Sequence, residues 1–265
     1  MTDAVFIPEG DLFRPTDLAR GPWDPRAQHG GPPASLLARA VERADGGESF
    51  FVARLTIDLL RPVPLTPLRI ETRMTRPGRR VQSLEAVMTA NGVDVARAHG
   101  LRILRCTVVL PDEVLDLSPP PPGPEQGRPT MPPARPETGV HGFAWDAMEL
   151  RSVGGGFESL GPATVWLRLR YPMVAGEETS PLMKVAAAAD FGNGISKVFE
   201  FGTHLFINPD LTIVLDRYPE GDWVCLDART SVRPNGVGLA ESALFDEIGR
   251  IGRSIQTLVV DTIQG

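Results

Sequence analysis

Lysine is nearly missing from the 265-residue chain: Lys184 and Lys197 are the only two among 27 basic residues, and the rest are arginine. With 33 acidic residues the net charge is −6, which argues against nucleic acid as a partner, because a phosphate backbone calls for a concentrated basic surface. A small or apolar substrate fits that balance better, and the arginines supply forked, permanently charged groups for phosphates or carboxylates. Cysteine is equally scarce. Cys106 and Cys225 are far apart and each lies in an apolar stretch, so buried free thiols are expected rather than a disulfide. The four histidines, His29, His99, His141 and His204, have no ligand spacing among them, and neither a metal site nor a bound cofactor is expected. Long apolar runs are absent too, since nothing approaches the ~20 residues of a membrane span. The start, MTDAVFIPEGDLF, has neither a basic nor an apolar leader region, which points to the cytoplasm.

Proline, by contrast, is concentrated. Ten of the 26 prolines fall between Pro111 and Pro136, in a stretch that can be neither helix nor central strand and reads as an extended linker. It divides the chain into an N-terminal unit over 1–110, a linker over 111–138 and a C-terminal unit over 139–265. The two units resemble each other. Laying residue n over residue n+156 puts Thr56, Ile57, Leu59 and Arg61 on Thr212, Ile213, Leu215 and Arg217, with Arg73 on Arg229, Val81 on Val237 and Glu85 on Glu241. After a slip of one residue, Gly92 meets Gly249. Such self-similarity marks an internal duplication.

Each unit reads as one helix followed by an antiparallel meander. GGPPASLLARAVERA has prolines where a helix starts and an apolar face at Leu36, Leu37, Ala40, Val41 and Ala44. In the second unit Ser180 and Pro181 open a helix through Ala186 to Ala189, and Gly192-Asn193-Gly194 reads as its stop. Asn91-Gly92 is a tight hairpin turn. One helix per unit with consecutive strands after it gives an α+β architecture.

The informative residues are the polar ones that the repeat does not share. Asp190 falls opposite the Ala34 region, Asn208 opposite Val52 and Gln256, with the slip, opposite His99. An Asp in the last turn of a helix faces the negative end of its dipole, which costs about 0.3–1 kcal/mol. Gln256 shares a strand face with Leu258 and Val260, where an amide needs a partner. Singly, Asp190 could cap a turn, Asn208 could start the NPD turn and Gln256 could be a satisfied core amide. Together, a carboxylate with two amides can hold and deprotonate a water. No G-x-S-x-G occurs, so no serine nucleophile is indicated. QHGGPP, from Gln28 to Pro33, places His29, Gly30 and Gly31 before the first helix, where backbone N–H groups can face a developing oxyanion. The alternative is a tight loop that simply needs glycine, with a structural His29.

HGGPPASLLARAVE, LLRPVPLTPLRIE, RPGRRVQS, AAADF, INPDLTIVLDRYPEGDWVCLDARTS and GRIGRSIQTLVV together resemble the acyl-CoA thioesterase II family, as a divergent, actinobacterial-type member. The resemblance implies a double hotdog fold, in which two units in one chain each wrap an antiparallel sheet around a long helix. It implies hydrolysis of an acyl-CoA thioester, no cofactor, and a homodimer of double hotdogs. The family Asp and Gln fall on Asp190 and Gln256, and its Thr or Ser falls on Asn208, a departure from the pattern. Two other readings stay open: an enoyl-thioester hydratase or dehydratase, which would need an Asp and His pair, and a catalytically weak acyl-CoA binder.

Overall fold

The computed structural model describes residues 4–114, 118–133 and 142–263. His141 and parts of the proline-rich stretch lie outside the described residues. The first half comprises β1 (Phe6–Glu9), β2 (Leu12–Pro15), α1 (Gly31–Arg43), β3 (Phe50–Leu59), β4 (Leu68–Arg76), β5 (Val81–Ala90) and β6 (Val93–Leu104). The second comprises β7 (Arg128–Pro129), β8 (Met148–Gly154), β9 (Ala163–Leu169), α2 (Pro181–Ala189), α3 (Gly192–Ile195), β10 (His204–Ile207), β11 (Asp210–Leu215), β12 (Val224–Arg233), β13 (Val237–Phe245) and β14 (Arg250–Thr262).

All of these strands join one sheet in the order β1-β2-β4-β5-β6-β3-β11-β14-β13-β12-β9-β8-β7, with β10 pairing β14 off that path. The order runs through equivalent strands from each edge to the middle, where β3 and β11 pair antiparallel with Thr56 opposite Thr212. Those two threonines are also superposed by the repeat, so the seam lies on its pseudo-twofold axis. Each half is a hotdog unit, and the chain is a double hotdog. The pairs Arg73 with Glu85 and Arg229 with Glu241 occupy the same register in both meanders.

Two expectations are corrected by this register. The pair of Thr56 and His99 corresponds to that of Thr212 and Ile255, so Gln256 matches Gly100 and not His99. There is no slip in the structure: Ala90 pairs with Val93 as Asp246 N–H bonds the Gly249 carbonyl, so Asn91-Gly92, with Asn91 at φ 52° and Gly92 at φ 77°, is matched by the two-residue turn Glu247-Ile248, and Gly249 lies one residue beyond it. The second correction concerns Asp190 and Ala34. The helices pack antiparallel, with Ser35 donating to the Met183 carbonyl at 3.1 Å. Asp190, at the end of α2, therefore lies beside the start of α1, and its repeat position is in the last turn of α1 and not at Ala34.

Amphipathic patterning explains what is buried. Leu36, Leu37 and Val41 on α1 are fully covered, as is the alanine run of α2. The small side chains let the helices approach closely: a Cβ at Gly31 would stand 2.7 Å from the Ala187 carbonyl oxygen. Ser180 caps α2, its Oγ accepting from Met183 N–H at 3.3 Å. The Gly192-Asn193-Gly194 segment does not end the helix. The chain breaks at Asp190-Phe191 and then makes one further turn, α3. The edge strands β1, β2, β8 and β9 were not expected; they are short, and prolines interrupt the alternation in the first two. Cys225 is buried but Cys106 is exposed, and both are free. Among the described residues of the proline-rich stretch, the Pro122 and Pro132 carbonyls accept from the Trp166 and Trp145 indoles at 2.7 and 3.2 Å. No helix among the described residues is long and apolar enough to cross a membrane.

Candidate active site

Antiparallel packing accounts for the acid at the unfavourable end of α2. Asp190 caps that helix, yet its carboxylate abuts the N-terminus of α1, where the dipole is positive and N–H groups are unpaired. The approach is tight enough that a Cβ at Gly30 would stand 2.6 Å from Asp190 Oδ2. Gly30 has φ −66° and ψ −25°, so it is needed for space and not for an unusual backbone.

Two side chains fix the carboxylate, which is only 6% exposed. Asn208, in the short connection between β10 and β11, donates through Nδ2 to Asp190 Oδ1 at 2.9 Å and to the Asp210 carbonyl at 3.2 Å. His29 comes from the other half, with Nδ1 at 2.9 Å from Asp190 Oδ2. Its ring is held by Phe191, stacked at 4.5 Å, and by Phe143 at 5.3 Å. Gly31 N lies 3.1 Å from the same Nδ1. One nitrogen cannot accept from Gly31 and donate to Asp190 at once, so a proton on Nδ1 releases the Gly31 N–H for another acceptor.

Gln256 works differently. It is 1% exposed; its Nε2 donates to the Asp190 backbone carbonyl at 3.2 Å and its Oε1 accepts from Asn193 N–H at 3.0 Å. The amide thus clamps the break between α2 and α3, with Gly192 leaving room for it: a Cβ there would stand 2.8 Å from Gln256 Oε1. Asn193 was missed in the sequence. It is buried, donates through Nδ2 to the Phe206 carbonyl at 3.1 Å, and lines the cleft.

That cleft has a volume of about 340 Å³ and is bordered by His29, Gly30, Asp190 and Asn208, with Trp23, Phe157 and Phe201 among its apolar walls. Gly31 and Gln256 do not border it; they support residues that do. Trp23 packs edge-on against Phe206 at 5.5 Å and near Phe201 at 6.0 Å, building a wall suited to an acyl chain. Chemically, the arrangement is a partly desolvated carboxylate held by an amide donor and flanked by an imidazole at the end of an apolar pocket, next to a helix N-terminus. A general base needs that placement, and an oxyanion needs that helix end.

The family model for the acyl-CoA thioesterase N-terminal domain matches residues 19–109, and the model for the acyl-CoA thioesterase C-terminal domain matches residues 116–260. No curated protein sequence matches the chain. Among solved structures, a hot dog fold protein of unknown function from Alicyclobacillus acidocaldarius is 16% identical, with 98% of this chain and 96% of that chain covered and a TM-score of 0.73. The tesB protein of Mycobacterium avium subsp. paratuberculosis is 15% identical, with 94% and 92% covered and a TM-score of 0.68. Acyl-CoA thioesterase II TesB2 from Mycobacterium marinum is 16% identical, with 97% and 94% covered and a TM-score of 0.63. At these identities the likeness is one of fold.

Proposed function

The chain belongs to the acyl-CoA thioesterase family, and we propose that it hydrolyses its thioester with a water deprotonated by Asp190. The observation that carries this reading is the buried Asp190 carboxylate at the cleft, contacted at 2.9 Å by a side chain from each half, Asn208 and His29. The water attacks the thioester carbonyl while Asp190 takes its proton. Charge gathers on the carbonyl oxygen, and the start of α1 at Gly30, which borders the cleft, stabilises it. Collapse breaks the carbon–sulfur bond, and the coenzyme A thiolate leaves with the proton from Asp190. Free acid and coenzyme A are the products. Asn208 stands where the resemblance expects a hydroxyl and keeps a donor on the carboxylate. Gln256 is a positioning residue that holds the Asp190 backbone. Burial pushes the Cys225 thiol up, which removes it as a nucleophile.

Asp190→Asn tests the assignment. Release of coenzyme A, followed with a thiol reagent over a range of acyl lengths, falls by about 10²–10⁴-fold; unchanged turnover would sink it. The His29–Asp190 contact also supplies the Asp and His pair that a hydratase requires, so enoyl-CoA hydration is the second activity to assay. Hydration without release of coenzyme A would favour that reading, and saturable binding without either reaction would favour a binder. The partner expected beyond substrate is a second copy of the chain. Val237 and Leu239, both exposed on one side of β13, support a homodimer, measurable by light scattering.

A further inference from the structure

Both halves carry an arginine two residues past the strand at the seam: Arg61 after β3 and Arg217 after β11. The backbone around them is the same. Leu60 N–H donates to the Val95 carbonyl, and Asp216 N–H to the equivalent Ile251 carbonyl. The side chains differ. Arg217 forks onto Asp246 at 2.5 and 2.6 Å, and Asp246 also accepts from the N–H groups of Glu220, Ile248 and Gly249. Burial alone would push the Asp246 carboxyl up; the Arg217 fork and those N–H bonds outweigh it and bring it to about 2.

In the first half the position of Asp246 is held by Ala90, as the registers of β4 with β5 and β12 with β13 require. Arg61 has therefore lost the partner that immobilises its counterpart. It is exposed, makes no ion pair among the described residues, and is the one Lys or Arg among the residues bordering the cleft. The neighbouring acid on that border, Asp24, is engaged by Arg26 at 3.0 Å. On a chain of net charge −6, an unpaired guanidinium at the cleft is the local exception to a field that repels anions.

We propose that Arg61 is the anion anchor of the site and binds a phosphate of the coenzyme A carrier. The proposal rests on the thioesterase reading for its ligand. A forked, permanently charged donor matches phosphate oxygens geometrically as well as electrostatically. With the thioester carbonyl beside Asp190, the pantetheine arm leads outward along the cleft, and Arg61 meets the diphosphate or the 3′-phosphate. The arginine of the ancestral repeat thus serves structure in one half and substrate in the other.

The test compares one acyl group on coenzyme A, on 3′-dephospho-coenzyme A and on phosphate-free pantetheine, using the whole protein and its Arg61→Gln and Arg61→Glu variants. Arg61→Gln is expected to raise KM for acyl-CoA about tenfold, the usual scale for one charge-assisted contact. The preference of the wild type for acyl-CoA over acyl-pantetheine shrinks by the same factor, and Arg61→Glu shrinks it further. Persistence of the effect with the dephospho substrate assigns the diphosphate; its disappearance assigns the 3′-phosphate. Equal KM changes for acyl-CoA and acyl-pantetheine, or none for either, overturn the anchor. Calorimetric binding of coenzyme A, with and without Arg61→Gln, separates the two readings. Arg61-dependent binding with no hydrolysis sinks the thioesterase reading and keeps the anchor, whereas hydrolysis with Arg61-independent binding does the reverse.

Discussion

The duplication gives the molecule two helix-end sites, and only one of them opens on an apolar cleft; the other borders a cavity of about 650 Å³ lined by charged groups that include Glu42, Arg43, Glu48 and Arg105. At the first, Asp190 at the end of α2 meets the glycines that start α1. At the second, Glu42 in the last turn of α1 meets Ser180 at the start of α2, and burial pushes its carboxyl up against the opposing pull of Ser180, Arg43 and Arg105. The acid is present in both. What differs is the space in front of it. The repeat places Tyr218 on Pro62 and Val52 on Asn208. Pro62 and Asn208 border the cleft, whereas the Tyr218 hydroxyl accepts from Val52 N–H at 3.0 Å and its ring lies 4.5 Å from Phe51. Arg105 covers both rings. Gln256 likewise corresponds to Gly100, where a Cβ would stand 2.3 Å from Val41 Cγ1, so the clamp of one site is a helix contact in the other. A carboxylate at a helix end is not sufficient for an acyl site; apolar walls beside the carboxylate, present at Asp190 and replaced by charged groups at Glu42, are what separate the two.

The largest effect is expected where the second half is most tightly bound. Asp246→Asn breaks the fork from Arg217 at a fully buried carboxylate, and removing one member of such a pair costs about 3–5 kcal/mol of unfolding free energy in urea titrations. The folded carboxyl lies below its ordinary value, at about 2. Its contribution is therefore complete above the unfolded value and is lost as pH falls through about 2. The gap between wild type and variant should close on acidification; a gap that widens below pH ~4 would contradict the linkage. Turnover should survive, because neither Arg217 nor Asp246 borders the cleft.

Next in size is Gly30→Ala. Its helical backbone tolerates alanine, and the three atoms nearest the added methyl all belong to the Asp190 carboxyl, at 2.6 to 2.8 Å. Displacing a reacting group by about 1 Å lowers kcat on the order of 10²-fold, with circular dichroism unchanged. A kcat within twofold of wild type would mean that Asp190 need not sit against α1.

Strands of nine to thirteen residues such as β4, β5 and β14 were legible because their alternation is long, and the duplication was legible because an offset of 156 holds through every one of them. Asp190 stood out because an acid at the end of an alanine run breaks the local rule. The role of His29 was not legible: its partner lies in the other half, and the two meet only because the helices run antiparallel. The match of Gln256 was misread for a local reason, since Gly249 lies one residue past the position equivalent to Gly92 and counting from the glycines shifts it by one. The enclosure of Cys106 failed because apolar neighbours in sequence do not ensure cover at the end of a strand. The different fates of Arg61 and Arg217 depend on Ala90 and Asp246, a pair that no local pattern connects to them.

The smallest expected effect comes from the Glu42 site. Tyr218→Phe keeps the ring that fills the space and removes the hydroxyl that accepts from Val52 N–H. Burial holds that phenol neutral, raised to about 12, so no charge is lost over the ordinary pH range. The change should cost about 1 kcal/mol of stability, the net worth of one hydrogen bond, and should leave kcat and KM for acyl-CoA as they are. If turnover fell with stability unaltered, the two helix-end sites would be functionally linked, and the Glu42 site could no longer be regarded as a relic of the duplication.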